Sequence, residues 1–445
     1  MATGAVNPTT LNMALAIEAV SGVAKVSPDI YVILGAESRP TNTKATGQRQ
    51  TYGNPDPVLP WRKPETTDLS MPMLPIVEDN GLGELLLAHM GSDVIGSQLG
   101  GVGAYEHVFT RANPFKTLTV WVHDGIQDKK IRMMAVDTFT LTAKKDDGDV
   151  QPTFDLKGAD MYDASDWGTA SYADLEAAQP KALNALQARL EWGQPGAAIR
   201  DTWEQVKFTS KLNIVMGVNG KDGMHIAGSG SPQLCTSSKR DTTIDIDFVD
   251  TDGKEMKRWY EGVDTDPSAT QQHDNAGLVD MQFTVFGNII GNGAAPWGEP
   301  DLNNAGTATI TVAGTYNGGA SVLTMYEIKI TGGTPDKFSY RSCTGGKWSA
   351  WSAATDILGT AQPLADGITV LFSSTTASET GDRFYVYSHR LRYLRVLCEN
   401  NMIESVKDTG GRDFKKATLS AYHTSGPSGI KPTIRICNTK SAAYA

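Results

Sequence analysis

The 445-residue chain has no apolar run approaching the ~20 residues of a membrane-spanning helix, so a soluble protein assembled in a cytoplasm is expected. Its early apolar run, Leu11 to Ile17, is preceded by no Lys or Arg and is ended by Glu18, which does not fit a signal peptide. Cysteine is scarce: Cys235, Cys343, Cys398 and Cys437 are widely spaced, without a CxxC pair or a histidine at ligand spacing. That pattern excludes the zinc and redox motifs and favours free thiols in a reducing compartment over a disulfide framework. A basic excess is missing too. With 40 Lys and Arg against 50 Asp and Glu, the net charge of -10 leaves no surplus for gripping nucleic acid through its phosphates. An acidic wall that repels DNA is still compatible with that balance.

Catalytic signatures are equally absent. There is no GxSxG and no HExxH, and the glycine turns at Gly220 and Gly346 lack the upstream glycine of a phosphate loop. Asp247, Asp250 and Asp252 before Gly253 suggest a calcium loop, but Phe248 and Trp259 stand where ligands are needed, so an Asp-Gly turn is the better reading. His107 and His123 read as sheet-surface residues. No enzyme, cofactor or metal is expected.

What the chain does contain is glycine (45), proline (21) and period-two alternation, which together point to a mainly β protein of two or three domains. Leu118, Val120 and Val122 share one strand face. Phe139, Leu141 and Ala143 share another, followed by the charged turn KKDDGD and a return strand with Val150, Phe154 and Leu156 inward and Thr153, Asp155 and Lys157 outward. The run LQARLEW from Leu186 reads as a strictly alternating strand. Val206, Phe208, Leu212, Ile214 and Met216 are placed on one side of the next. In TTIDIDFVD, Ile244, Ile246 and Phe248 alternate with Thr243, Asp245 and Asp247, giving a half-buried strand with an acidic outer face. Only two short helices are legible, near Leu85 and from Lys254 to Trp259.

Two stretches break the pattern. Residues 38–68 are polar, carry five prolines, and read as a projecting loop or arm. Residues 305–388 are rich in Gly, Thr and Ser and hold four short strands, TATITVAG, YEIKITGG, GITVLFSS and RFYVYS, as in a small β-sandwich inserted after a linker, GNGAAPWGEPDLNNAG. Beyond it, LRYLRVL and FKKATLSAYH flank another acidic glycine turn, so the interrupted domain resumes near residue 390, and the likeness of the two charged hairpins hints at a duplication. Within the insert, Trp348 and Trp351 fit either an aromatic platform for sugar or packing at the rim of the sandwich.

The phrase YEHVFTRANPFKTLTVWVHDG with MMAVDTFTLTAKKDDGDVQPTFDLKG resembles the tail tube proteins of siphophages, the long-tailed bacteriophages. WEQVKFTSKLNIVMGVNG and TSSKRDTTIDIDFVDTDGKEMKRWYEG are similar to the second half of larger members, in which one chain carries two tube sandwiches. The resemblance covers roughly residues 25–290 and 390–437, and the insert resembles the immunoglobulin-like modules of phage tail proteins. It implies two tandem tail-tube β-sandwich or barrel domains with short helices, 1–185 and 186–300 plus 390–445, and an Ig-like sandwich at 305–388. It further implies a virion protein, trimeric rings stacked into a tube through which DNA passes unbound, with a tape measure protein and tail tip or terminator proteins as partners. Asp137, Asp155, Thr243, Asp245 and Asp247 are then the candidates for a lumen of one negative sign, and Arg49, Tyr52, Trp61 and Arg62 for contacts between rings. A competing expectation is a carbohydrate-binding or host-adhesion β-sandwich protein of a tail tip, working through Trp348 and Trp351.

Overall fold

The computed structural model describes the chain except for residues 1–11, 33, 37, 50–57, 79, 124–127, 147, 165–181, 194–202, 219–220, 223–233, 238–239, 250–278, 292–294, 303, 320–321, 345–346, 409–413, 422–431 and 445. The second helix expected at 254–259 and the acidic turn at 250–253 lie outside the described residues. The protein is mainly β, and its strands fall into two topologically equivalent sets.

The first set comprises β1 (Asn12–Ile17), β2 (Ile30–Val32), β3 (Thr41–Arg49), β4 (Val58–Pro72), β5 (Gly91–Ile95), β6 (Tyr105–Arg111), β7 (Leu118–His123), β8 (Asp128–Lys144), β9 (Asp149–Gly158) and β10 (Met161–Asp163), with helix α1 (Leu82–Met90) between β4 and β5. The second begins with β11 (Asn184–Gly193), β12 (Trp203–Lys211), β13 (Ile214–Val218), β14 (Lys221–Asp222), β15 (Leu234–Ser237), β16 (Asp241–Val249) and β17 (Val279–Ile289). An insert follows: β18 (Trp297–Pro300), β19 (Ile310–Gly314), β20 (Thr324–Ile330), β21 (Lys337–Thr344), β22 (Lys347–Trp348), β23 (Thr355–Asp356), β24 (Gln362–Pro363), β25 (Ile368–Phe372) and β26 (Arg383–Tyr387). The second set then resumes with β27 (Leu391–Asp408), β28 (Phe414–Ala421) and β29 (Thr433–Asn438).

Six antiparallel pairings repeat between the sets. β1 on β7 matches β11 on β17, and β3 on β4 matches β12 on β16. β4 on β9 matches β16 on β28, and β7 on β8 matches β17 on β27. β8 holds β9 and β10 along one edge as β27 holds β28 and β29. The register agrees as well: each long strand carries a bulge where it meets its hairpin partner, between Val136 and Thr138 in β8 and between Ile403 and Ser405 in β27. Bulges bend a strand and add twist at a fixed point. Their recurrence at equivalent places, each with an acidic residue (Asp137, Glu404), carries the internal duplication that the sequence only hinted at.

Alternation places the core where expected. Phe139, Leu141, Phe154, Leu156, Val206, Phe208, Ile244, Ile246 and Phe248 are buried in one cluster that runs through both sets. Helix α1 is fully buried against it and is delimited by glycine at both ends. Gly91 adopts φ 91, its N–H returning to the Leu87 carbonyl, and a Cβ there would stand 2.8 Å from the Ala112 carbonyl oxygen. Only glycine closes the helix this way without strain. Among the described residues the strands form no closed barrel.

Several expectations are corrected. Leu186 is 65% exposed, because a bulge between Asn184 and Arg189 displaces the alternation; Ala185, Leu190 and Trp192 are buried instead, together with Arg189 and Glu191. Val206 and Phe208 do not share a cluster with Leu212, Ile214 and Met216, which pack with Met133 and Ala159. Asn213, at φ 52, ends the period-two pattern between them. The arm at 38–68 is a β-hairpin more than a loop, β3 on β4. Pro60 and Pro64 fit there because that part of β4 has β3 alone as a described partner strand, and a missing N–H can face away. The presumed linker contains a strand, β18, which pairs with β26.

The insert is a two-sheet sandwich, with β18, β26, β20 and β21 facing β19, β25 and β24 across Tyr326, Ile328, Phe338, Phe372 and Phe384. It interrupts the β17–β27 hairpin, whose two strands remain in contact where the chain departs and returns, the Ile290 N–H donating to the Arg390 carbonyl at 2.8 Å.

Candidate functional site

The two sets are joined edge to edge. β8 is long enough to hold β7 on its first half and β12 on its second, so the outer strand of the second set completes the sheet of the first, Thr138↔Lys211 through Lys144↔Gln205. One face of this shared sheet is the core. The other is a polar surface crossing both sets.

Its residues stand in cross-strand rows. One row is hydroxyl across five strands, Thr153, Thr140, Thr209, Thr243 and Ser420, and ends at Pro72 of β4 on one side and Met402 of β27 on the other. The next runs Gln151, Thr142, Lys207, Asp245, Thr418, Ser405, and beyond it Asp149, Lys144, Gln205, Asp247, Lys416, Lys407. On the other side of the hydroxyl row lie Ser70, Asp155, Thr138, Lys211 and Asp241. The Ser70 hydroxyl donates to Asp155 at 2.7 Å, and at the equivalent place in the second set the Thr418 hydroxyl donates to Asp245 at 2.7 Å. Donor and acceptor have exchanged strands between the repeats.

This face is not of one sign. The rows hold five lysines and five aspartates, with Lys207 opposite Asp245 and Lys416 opposite Asp247. Opposite charges facing across strands stabilise the sheet, whereas a run of aspartates would strain it, which is the physical reason the acidic strand β16 is flanked by lysines. Burial pushes the Asp247 carboxyl up, Lys416 opposing and Asp245 adding to the shift. Of the expected wall residues, Asp155, Thr243, Asp245 and Asp247 lie on this face. Asp137 does not: it is 6% exposed in the β8 bulge, where it accepts the Ile214 N–H at 2.5 Å and approaches Lys157 at 3.7 Å. Its role is to hold the turn from β12 into β13.

Beneath the joint lies a buried polar cluster that the sequence did not disclose. His89 of α1 bonds through Nδ1 to the Val136 carbonyl at 3.2 Å and through Nε2 to the Ser210 hydroxyl of β12 at 2.8 Å. Arg111 of β6 donates to Ser210 at 2.8 Å and to the Thr242 hydroxyl of β16 at 2.5 Å. Nδ1 must donate to the carbonyl, so Nε2 accepts from Ser210, whose oxygen in turn accepts from Arg111. Burial pushes the imidazole down to about 3, leaving it neutral, and pushes Arg111 down to about 10. The first set therefore grips the second by side chains as well as by backbone. His107, expected on the sheet surface, is also buried, between Asp93 and the Lys440 carbonyl at 3.0 Å each.

The insert is bolted on by a second buried cluster. Glu299 of β18 pairs with Arg189 of β11 at 2.5 Å and with Arg395 of β27 at 2.8 Å, while Glu191 pairs with Arg189 and accepts the Leu302 N–H at 2.7 Å. Burial alone would push Glu299 up, but the two guanidiniums hold it below the usual carboxylate range. Trp297, Tyr385 and Tyr387 of the insert share a core with Phe286 and Tyr393. At its far end, the Arg341 guanidinium sits over both Trp348 and Trp351, 4.3 and 4.8 Å from the ring centres, and pairs with Glu327 at 2.5 Å. The tryptophans are 41% and 39% exposed. The Ser349 and Ser352 hydroxyls accept from the β21 backbone, each at 2.9 Å, so the two Trp-Ser steps form a structural edge in which each ring has one face covered by Arg341.

Arg49, Trp61 and Arg62 lie in the β3–β4 hairpin, with Arg62 opposite Thr46 and Trp61 opposite Gly47. Tyr52 lies outside the described residues. Cys235, Cys343, Cys398 and Cys437 form no disulfide. Among the described residues no helix is long and apolar enough to cross a membrane. Comparison with protein-family models and with curated proteins finds no match.

Proposed function

We propose that the chain is a structural, non-catalytic subunit of a phage tail tube, assembling into rings that stack around a DNA-conducting lumen in the virion, with the tape measure and tail tip or terminator proteins as partners. The observation that carries this reading is the continuous polar sheet face that spans both repeats. A sheet whose one face is core and whose other face carries these polar rows across β9, β8, β12, β16 and β28 suits the wall of an aqueous bore. Equal numbers of lysine and aspartate in these rows, with the Glu404 carboxylate accepting from Ser420 beside them, leave no net attraction for a polyanion, and the hydroxyl row has no charge with which to neutralise phosphates. Two repeats per chain fit a pseudo-sixfold ring of three chains. The arm at 38–68, with Arg49, Tyr52, Trp61 and Arg62, is assigned to contacts between rings.

Electron microscopy of the concentrated protein, or of the parent particle, tests the reading. Stacked rings with a central hole are expected. A protein that stays monomeric while binding soluble glycans through Trp348 and Trp351 would overturn it in favour of a host-adhesion role.

A further inference from the structure

The internal joint supplies a template for the joint between copies, an inference that rests on the ring-forming reading. Within the chain, the outer edge of β12 adds to the second half of β8, on the side that β9 does not use. The equivalents of these two edges are β3 and the second half of β27. Among the described strands, β3 pairs with β4 along one edge only, and residues 402–408 of β27 pair with β28 alone, the β17 pairing ending at Asn401. Each copy thus carries one donor edge and one acceptor edge of the kind already matched within it. The edges differ, so their union is head to tail and can continue from copy to copy until the rotation closes. Exposed edges of this kind, left open, would pair indiscriminately.

The register follows from the shared bulge. Aligning Val136 and Thr138 with Ile403 and Ser405 makes Thr140 equivalent to Lys407, and aligning the β4 pairings with those of β16 makes Thr41 equivalent to Thr209. Because Thr209 faces Thr140 inside the chain, we infer that β3 of one copy adds antiparallel to β27 of the next with Thr41 opposite Lys407, Asn42 opposite Val406 and Thr43 opposite Ser405. The partner is a second copy of this chain, and the polar face passes unbroken across the seam.

Thiol cross-linking tests both edge and register. In a Cys235→Ser, Cys343→Ser background, Thr41→Cys and Lys407→Cys place cysteines at two exposed positions. Under a short bifunctional thiol reagent, the chain carrying both is expected to give a ladder of covalent multimers. An equimolar mixture of the two single variants should stop at dimers, and either single variant alone should give none. Rings visible by electron microscopy with no cross-link would overturn this joint while leaving the tube reading intact. Self-linking of a single variant would overturn the head-to-tail joint in favour of a twofold one. Cross-linked ladders without rings would support the joint and sink the tube. A chain that remains monomeric and unlinked would sink both.

Discussion

At the scale of a residue, His89 shows how a neutral histidine can be a joint. It is wholly buried, its ring bridges a carbonyl of β8 and a hydroxyl of β12, and burial holds its pKa near 3, well below the 6.5 of a free imidazole. The sign of the pH dependence follows. Below about pH 6.5 the unfolded chain takes up a proton that the folded chain refuses, so stability falls as pH drops from there towards 3. At pH 5 the cost is about 2 kcal/mol. His89→Asn should lower stability at pH 7, where a hydrogen bond to Val136 or Ser210 is lost, yet show a shallower fall in Tm between pH 7 and pH 5 than the parent. His389, also held low by burial, contributes in the same direction, so the difference between the two proteins is the quantity to read. Equal slopes would mean that His89 is charged or reachable by water in the folded state.

At the scale of elements, what could be read in advance was whatever depends on local alternation. The β8–β9 hairpin with its turn, β16 with its two faces, helix α1 and the four insert strands follow from residues two or four apart. Contacts that cross the chain were not legible: Ser210 meets His89 over 121 residues and Arg111 over 99, and no periodicity marks a lone serine on the core face of a strand. Bulges defeated the reading for the same reason, since a residue such as Asp137 leaves the outer face only because the pairing on β8 slips at that point. Strand β18 was hidden by its proline and glycine content, and its Glu299 is the bolt between insert and repeat. Glu299→Ala leaves Arg189 sharing Glu191 alone and Arg395 without an acidic partner at β18, both in a buried setting. Breaking a buried pair from one side costs roughly 3 kcal/mol or more. The denaturant midpoint should drop accordingly with an unchanged slope. A shift below about 1 kcal/mol would mean that water already reaches the cluster, and that the insert is held mainly by Trp297, Tyr385 and Tyr387.

For the whole molecule, the proposed conduit rests on the balance of the polar face. The chain's overall charge of -10 does not determine that balance, because the rows across β9, β8, β12, β16, β28 and β27 are neutral in sum. Neutrality built from opposed pairs is easily undone. Asp155→Asn, Asp245→Asn and Asp247→Asn together leave five lysines facing two aspartates in those rows, a change that keeps side-chain shape and the amide's capacity to accept from Ser70 and Thr418. Repeated around a ring and along a stack, the surplus would line a bore with cations, and each phosphate neutralised adds close to one unit to the slope of log affinity against log salt. Assembled variant particles are therefore expected to retain double-stranded DNA at low ionic strength and release it as salt rises, where parent particles retain none. If the variant assembles as the parent does but holds no more DNA, these rows do not face the bore. The polar surface would then belong to the outside of the assembly, and the lumen would have to be sought on another face.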